Sequence, residues 1–215
     1  MTTVNRTFAG AFAHLPLVAI LRGIRPLEVE AIALALYEQG FRIIEIPMNS
    51  PDALDSISRL ARCLPSDAIG GAGTVLDTDT VRQLNDAGAR LVVMPHTDTA
   101  VIAAAKRAGM ICVPGAATPS EVFAALNAGA DAVKLFPAEL VNPAVVKALR
   151  AVVPVSHRLL PVGGITLQNM AEFQRAGASG FGLGSALYAP GMDAQAVTVR
   201  AALFVKGWQE LITQT

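Results

Sequence analysis

Short apolar runs alternate with longer amphipathic stretches along the whole chain. The short runs are rich in β-branched residues, which favour strands, and they are apolar at successive positions rather than at every second one. Successive apolar positions indicate strands that are buried on both faces, as in a parallel sheet covered by helices. Eight such strands are predicted, over residues 17–21, 42–46, 69–73, 91–94, 111–113, 132–136, 159–162 and 180–184.

The longer stretches predict eight helices, one after each strand. Several begin with a capping residue and an early proline, as at Ser50-Pro51 and Thr118-Pro119. A further apolar stretch at residues 8–13 predicts a short helix before the first strand. The eight main helices are predicted over residues 26–39, 51–63, 78–87, 97–108, 119–127, 143–152, 167–175 and 194–211.

Eight strand–helix units within 215 residues leave only short connections. This arrangement predicts an α/β fold, a closed (β/α)8 TIM barrel with a short N-terminal helix. An open doubly wound sheet is the alternative, but it usually carries a glycine fingerprint after its first strand. The segment Leu21-Arg22-Gly23-Ile24 is not such a fingerprint. No linker or change of composition divides the chain, so we expect one domain over residues 1–215.

The charge balance limits the partners of the protein. Lys+Arg 17 against Asp+Glu 17 leave a formal net charge of zero, and no basic run compensates locally, so we expect no nucleic-acid partner. No apolar run reaches the roughly 18 residues of a membrane span. Charged residues make up only 16%, against roughly 25% in ordinary domains, which favours an oligomer that covers part of the surface. Cys63 and Cys112 fit no disulfide framework and indicate reduced thiols in a cytoplasmic protein.

Four polar residues fall at or near the carboxyl ends of predicted strands: Arg22, Glu45, Thr74 and Lys134. In a (β/α)8 barrel the active site is built at these ends. Strands two and six, which carry Glu45 and Lys134, lie opposite each other in an eight-stranded ring. We therefore expect a carboxylate and an amine to face a substrate from two sides.

Lys134 is the only one of four lysines that lies in a predicted strand. Burial favours the neutral amine and lowers the pKa of a lysine, which is what a nucleophile that forms a Schiff base requires. The alternative is a structural salt bridge to Glu45. By the same argument burial raises the pKa of Glu45 and makes it a candidate general acid/base. Arg22 is suited to bind a carboxylate or a phosphate through its fork of donors.

Two glycine clusters lie at the ends of the last two predicted strands, at Val162-Gly163-Gly164-Ile165 and at Gly182-Leu183-Gly184-Ser185. Loops at these positions of a barrel often bind phosphate through backbone N–H groups, and glycine lets the backbone approach the anion. A phosphorylated substrate is therefore predicted. No group of His, Asp or Glu has metal-ligand spacing, so neither a metal nor another cofactor is expected.

Together these segments resemble the family of 2-keto-3-deoxy-6-phosphogluconate and 2-keto-3-deoxy-6-phosphogalactonate aldolases, from about residue 15 to the C-terminus. The motifs that carry the resemblance, all in family order, are Leu21-Arg22-Gly23, Glu45-Ile46-Pro47-Met48-Asn49-Ser50-Pro51, Gly71-Ala72-Gly73-Thr74, Val133-Lys134-Leu135-Phe136-Pro137-Ala138, Pro161-Val162-Gly163-Gly164-Ile165 and Gly182-Leu183-Gly184-Ser185. These are class I, metal-free aldolases of pyruvate. The resemblance implies a (β/α)8 barrel and, for most members, a homotrimer.

The resemblance also implies roles for individual residues. Lys134 matches the Schiff-base lysine, and Glu45 matches the general acid/base. The remaining matches are Arg22 and Thr74 for the pyruvate carboxylate, Pro95 and Phe136 beside the lysine, and Gly163, Gly164, Gly184 and Ser185 for the phosphate. The implied ligands are a phosphorylated 2-keto-3-deoxy sugar acid, pyruvate and glyceraldehyde 3-phosphate.

Two positions resemble the galactonate subgroup of the family. Gluconate-type members have arginine-threonine-proline after the glutamate strand and threonine before the paired glycines, whereas this chain has Asn49-Ser50-Pro51 and Val162. We therefore expect 2-dehydro-3-deoxy-6-phospho-D-galactonate as the substrate, with Asn49 and Val162 among the residues that bind it. The alternative is a 2-dehydro-3-deoxy-6-phosphogluconate aldolase, with or without 4-hydroxy-2-oxoglutarate aldolase activity.

Three functions outside this family remain open from the residues alone. A phosphosugar isomerase or synthase would use the same phosphate loops without needing the strand lysine. A phosphosugar sensor would bind ligand without turnover. A metal-dependent pyruvate aldolase would need ligands that the sequence does not provide at recognisable spacing.

Overall fold

Strands and helices alternate along the chain in a computed structural model that describes residues 3–213. The strands in this range are β1 (Leu17–Ile20), β2 (Ile43–Pro47), β3 (Ile69–Gly73), β4 (Leu91–Val93), β5 (Ile111–Val113), β6 (Gly115–Ala116), β7 (Val133–Leu135), β8 (Leu159–Pro161) and β9 (Phe181–Leu183). The helices are α1 (Thr3–His14), α2 (Val29–Glu38), α3 (Ala53–Cys63), α4 (Thr78–Asp86), α5 (Thr99–Arg107), α6 (Pro119–Asn127), α7 (Pro143–Arg150), α8 (Met170–Arg175) and α9 (Ala194–Thr213). None of these helices is both long enough and apolar enough to cross a bilayer.

The strands form two parallel sheets. Six of them lie in the order β5-β4-β3-β2-β1-β9, and the other three in the order β6-β7-β8. This confirms the predicted α/β fold with parallel strands. Neighbours in the larger sheet follow chain order from β1 to β5, without the reversal that creates the crevice of a doubly wound sheet.

The predicted number of eight strands was wrong, because the fifth one is split. One extended segment forms β5, which pairs with β4, and then β6, which pairs with β7. Pro114 separates the two halves, and proline has no N–H to donate to a strand ladder. The segment thus changes its partner strand at the proline.

Backbone hydrogen bonds connect the two sheets at both of their ends. Beside β5, the Asp131 N–H donates to the Cys112 carbonyl over 2.9 Å, and the Lys134 N–H donates to the Pro114 carbonyl over 2.9 Å. Beside β8, the Ser179 N–H donates to the Leu159 carbonyl over 2.9 Å, and an isolated bridge joins Val162 to Gly182. The carboxyl ends of β7 and β9 therefore lie at the same edge of the structure.

Apolar side chains pack in two separate clusters, as strands buried on both faces require. The larger cluster lies between the strands and helices α2 to α9. The smaller one takes side chains from strands of both sheets, and Phe8 and Ala11 of α1 complete it. The guanidinium of Arg158 lies 5.3 Å from the ring of Phe8 and 5.0 Å from that of Phe12. The prediction of a short N-terminal helix is confirmed.

Four helices begin later than the sequence pattern predicts, among them α5, which begins at Thr99 instead of residue 97. Residues 26–28 form a separate 3₁₀ turn, α3 begins only after Asp52, and α8 begins only after Asn169. Asp52 has a left-handed φ of 44°, so Ser50-Pro51 does not start the helix. The two ends of the predicted domain, residues 1 and 215, lie outside the described residues.

Candidate active site

Glu45 and Lys134 come from β2 and β7 and line one interior cavity of about 20 Å³. Their exposed fractions are only 1% and 5%, although both are ionisable. Apolar neighbours dominate the cavity, among them Val18, Ile43 and Leu160. Such a cavity offers few groups that could solvate a charge, so each of the two side chains is the main polar neighbour of the other.

Burial raises the pKa of Glu45 from its ordinary value of 4.5 to about 7. The positive charges of Lys134 and Arg22 oppose this effect without cancelling it. Atom Oε2 of Glu45 is buried and has no hydrogen-bond partner among the described residues. A carboxyl group with this pKa exchanges protons readily near neutral pH, which is the property of a general acid/base.

Burial also lowers the pKa of Lys134, and the charge of Glu45 works against this while that of Arg22 adds to it. The ammonium nitrogen lies 4.6 Å from the centre of the Phe136 ring, whose face attracts the charged form. A lysine with a lowered pKa has a larger fraction of neutral amine. The neutral amine is the form that attacks a carbonyl group.

Gly73 on β3 makes room for the carboxyl group of Glu45. A Cβ atom at position 73 would lie 1.8 Å from Oε2 and 2.4 Å from Cδ of Glu45, so only glycine fits there. The local sequence pattern predicts no role for this residue. Glycine at the end of an otherwise apolar strand, level with Pro47 of β2, was the signal available.

An open cleft of about 640 Å³ lies above this cavity at the carboxyl ends of the strands. Lys134 and Val162 line both spaces, so the amine is accessible from the cleft. The cleft brings together eight of the twelve residues that the sequence predicts for the site: Arg22, Lys134, Phe136, Val162, Gly163, Gly164, Gly184 and Ser185. It is also lined by Gly23, Ile165, Thr166 and Tyr188, which were not among the predicted site residues.

Asn49 reaches the site through Arg22. Its Oδ1 accepts a hydrogen bond of 2.6 Å from Nη1 of Arg22, and both side chains are exposed. The next residue, Ser50, accepts a 2.9 Å hydrogen bond from the backbone N–H of Gly23. The loop after β2 thus holds the loop after β1 at two points, and the hydroxyl predicted to cap a helix serves this purpose instead.

Thr74 and Pro95 lie next to the site but do not line the cleft. Thr74 directly follows Gly73 and has a left-handed φ of 57°, which is rare for a β-branched residue. The carbonyl group of Pro95 packs where a Cβ atom on Gly115 would lie. Backbone strain of the kind seen at Thr74 is concentrated at functional sites, because the surrounding structure must enforce it.

Replacement of Thr74 by glycine should stabilise the fold and impair the site. Glycine adopts a positive φ without strain, but it loses more entropy on folding, so we expect a net gain of about 1 kcal/mol and a rise in Tm of about 2–4 °C. The loss of the hydroxyl should lower kcat/KM for the reaction at this site about tenfold. Thermal unfolding and steady-state kinetics test this prediction.

Asp52→Gly provides a matched control, because Asp52 has a φ of 44° and lies outside the cleft lining. This variant should gain stability and keep full activity. A Thr74→Gly variant that is less stable than the parent, or that is fully active, would contradict the prediction.

A buried lysine and a buried carboxyl group beneath an open cleft suit an enzyme that forms a covalent imine with a carbonyl substrate. Comparison with known proteins assigns the chain to a particular family. Residues 10–200 match the family described as KDPG and KHG aldolase. The chain belongs to this family.

Individual relatives agree with the family assignment. The chain is 47% identical to a probable 2-dehydro-3-deoxy-6-phosphogalactonate aldolase of Rhizobium meliloti (strain 1021), over 86% of this chain and 88% of that protein. It is 43% identical to the 2-dehydro-3-deoxy-6-phosphogalactonate aldolase of Escherichia coli (strain K12), over 92% of this chain and 97% of that protein. A solved structure described as native KDPGal superposes with a TM-score of 0.90 at 43% identity, covering 93% of this chain and 97% of that one.

Proposed function

We propose that the protein is a class I aldolase that cleaves 2-dehydro-3-deoxy-6-phospho-D-galactonate to pyruvate and D-glyceraldehyde 3-phosphate. The observation that carries this proposal is the pair of Lys134 and Glu45, both buried and both facing one cavity under the cleft. The lowered pKa of Lys134 and the raised pKa of Glu45 suit an imine-forming nucleophile and an acid/base, respectively.

In the first half of the reaction, the neutral amine of Lys134 attacks carbon 2 of the substrate. The keto oxygen takes up a proton, and the resulting carbinolamine loses water to give an iminium ion. Glu45 supplies and removes protons in these steps, through a water molecule where its carboxyl group does not reach. Its pKa of about 7 lets it do both near neutral pH.

In the second half, the carboxylate of Glu45 removes the proton of the carbon-4 hydroxyl group. The bond between carbons 3 and 4 breaks, its electron pair moves to the iminium as an enamine, and glyceraldehyde 3-phosphate leaves. Protonation of the enamine at carbon 3 and hydrolysis of the iminium release pyruvate and free Lys134. The two halves of the reaction balance without an external oxidant, reductant or metal.

The two ends of the substrate bind to different loops. We assign the carboxylate to Arg22, which Asn49 orients, and to Thr74, with Phe136 and Pro95 packed beside the lysine. The phosphate binds to the loops with Gly163 and Gly164 after β8 and with Gly184 and Ser185 after β9. Among the described residues, Arg22 and Lys134 are the only cations that line the cleft, so the phosphate relies on neutral donors.

The preference for the galactonate epimer rests on Val162. This residue lines the cleft at the end of β8 and packs against Gly182, where a Cβ atom would lie 2.6 Å from a methyl group of Val162. An aliphatic side chain offers no hydrogen bond to a hydroxyl group of the substrate. The names of the two relatives with 47% and 43% identity support the same epimer.

The backbone bonds between the two sheets support a closed (β/α)8 barrel as the scaffold of this site. We further propose that the 215 residues form one domain, that it acts in the cytoplasm, and that three copies associate as a homotrimer. The low content of charged residues, 16%, supports an interface between subunits.

A side-by-side measurement of kcat/KM for the two carbon-4 epimers, with detection of released pyruvate, tests the proposed substrate. We expect at least tenfold preference for the galactonate compound, and a shift of about tenfold toward the gluconate compound in Val162→Thr, because a hydroxyl group is regained. Val199→Thr, which changes an exposed valine on α9, should leave the ratio unchanged.

Preference of the parent protein for the gluconate epimer would overturn the proposed substrate and favour the gluconate aldolase. Activity on neither epimer would contradict the aldolase function itself. An unchanged ratio in Val162→Thr would remove Val162 from the residues that set specificity.

A further inference from the structure

Asn169 holds the loop that follows β8 with both ends of its side-chain amide. Its Oδ1 accepts a hydrogen bond of 2.8 Å from the backbone N–H of Thr166, and its Nδ2 donates a hydrogen bond of 2.8 Å to the carbonyl oxygen of Gly164. Asn169 occupies the N-cap position of α8, where asparagine usually accepts a bond from the helix itself, but it makes no such bond. The side chain is therefore committed to the loop and not to the helix.

The bond to Gly164 fixes the direction of a neighbouring donor. A peptide group is planar and trans, so the N–H of Ile165 points opposite to the carbonyl of Gly164. Between residues 3 and 213, no acceptor is hydrogen-bonded to this N–H. Ile165 is 4% exposed and lines the cleft. A backbone N–H group that borders an open cleft and has no acceptor in the protein is available to a ligand that supplies one.

A carboxylate lies against the two glycines of this loop. Oε2 of Glu139 lies 2.7 Å from the position of a Cβ atom on Gly163, and Oε1 lies 3.0 Å from that on Gly164. Glu139 does not line the cleft. An anion would be repelled on the side of Glu139, so it must approach the loop from the cleft.

Two successive glycines restrict the backbone of this loop little by themselves, and their φ values are 107° at Gly163 and 60° at Gly164. Glycine populates many backbone conformations, so a donor carried by such a loop is well directed only if another group restrains it. The amide of Asn169 is such a restraint, since it joins Gly164 to Thr166 across the turn.

We propose that Asn169 is a positioning residue for the phosphate end of the substrate. By fixing the peptide between Gly164 and Ile165, it directs the N–H of Ile165 into the cleft, where this group donates to a phosphate oxygen. The proposal rests on the function proposed above and adds to it a donor, Ile165, and the residue that aims this donor. Asn169 itself does not touch the substrate.

Two variants distinguish the hydrogen bond that the Asn169 amide donates from the one that it accepts. Asn169→Ala removes both hydrogen bonds, whereas Asn169→Asp keeps the acceptor for Thr166 and loses the donor to Gly164. Asn142→Ala is the matched control, because Asn142 occupies the N-cap position of α7, accepts from the Val145 N–H and does not line the cleft. Thermal unfolding of each variant shows whether it is folded.

The binding measurement uses glycerol 3-phosphate as a probe, with calorimetry on the unmodified and variant proteins. We expect Kd to rise about tenfold in Asn169→Ala and at least as much in Asn169→Asp, in which a second carboxylate faces the loop. Asn142→Ala should bind within twofold of the parent. The rate of borohydride trapping with pyruvate, which has no phosphate, should be unchanged in all three variants.

Steady-state kinetics should also show an effect that is confined to the phosphorylated substrate. In Asn169→Ala, KM for the phosphorylated sugar acid should rise about tenfold, while kcat/KM for the unphosphorylated sugar acid changes less than twofold. Equal losses for both compounds, slower trapping of pyruvate, or unchanged binding of glycerol 3-phosphate would each overturn the positioning role. Because the probe measurement needs no turnover, failure of the aldolase function would appear separately, as absent pyruvate trapping in the parent protein.

Discussion

Replacement of Lys134 by methionine should abolish turnover, with a loss of kcat of about 10⁴-fold or more. The variant lacks the amine that forms the covalent imine, and the other groups of the cleft cannot replace it. Methionine has a similar length and is apolar, so it fills the space of a side chain that is only 5% exposed. Mass spectrometry after treatment with pyruvate and borohydride should find one reduced adduct per chain in the parent protein and none in this variant.

Lys147→Met is the control for this experiment, because Lys147 is an exposed lysine in α7. It should keep both the adduct and the activity. An adduct that persists in Lys134→Met, or turnover near that of the parent, would refute the role of Lys134 and reopen the phosphosugar isomerase as an alternative.

Replacement of Glu45 by glutamine should separate imine formation from cleavage. Glutamine preserves shape but cannot transfer a proton, so we expect cleavage to fall about 10³-fold, while the pyruvate adduct still forms more slowly because water then supplies the protons of imine formation. In the parent protein, kcat/KM should rise with pH up to about 7, since Glu45 must be ionised to take the proton from the carbon-4 hydroxyl. This rise should be absent from the residual activity of Glu45→Gln.

The same substitution should raise stability in alkaline solution. The pKa of Glu45 is about 7 in the folded state and 4.5 ordinarily, so the folded state binds more protons between these values. The contribution of the Glu45 carboxyl group to the free energy of unfolding is therefore fully present below pH 4.5 and is lost as the pH rises through 7. Because glutamine does not titrate, Glu45→Gln should be more stable than the parent protein at pH 8, by at most about 3 kcal/mol.

Denaturant unfolding at pH 5 and pH 8 measures this difference. Glu30→Gln, at an exposed position of α2, should change neither stability nor activity at either pH. A Glu45→Gln variant that is less stable than the parent at pH 8, or that cleaves substrate at a normal rate, would contradict the assignment of Glu45 as a buried acid/base.

Much of the site was predictable because a charge in an apolar strand is unusual. Glu45 and Lys134 stand out in their strands, and the glycines after β8 and β9 stand out by composition. The structure brings eight of the twelve predicted residues into one cleft and places Asn49 on Arg22. Glu45, Lys134 and the glycines could be found because their chemical type conflicts with their local surroundings, whereas Asn49, Phe136 and Val162 were predicted through the resemblance to the aldolase family.

Other features of the site have no such local signal. The sequence does not show that Gly73 makes room for Glu45, that Ser50 accepts from the N–H of Gly23, or that Asn169 holds Gly164. Gly73–Glu45 and Ser50–Gly23 are contacts between residues from different strands or loops. Asn169 lies close to Gly164 in sequence, but its type and position equally predict a helix cap.

By itself, the sequence determined the parallel α/β fold, nearly every strand and helix, and the ionisable pair at the centre of the site. It could do so because the period of apolar positions and the cost of a buried charge are properties of short segments. Only the tertiary structure decided where the fifth strand changes its partner, which backbone N–H groups are left free, and which side chains direct others. These depend on the relative placement of segments that are distant in the chain, and no local pattern specifies that placement.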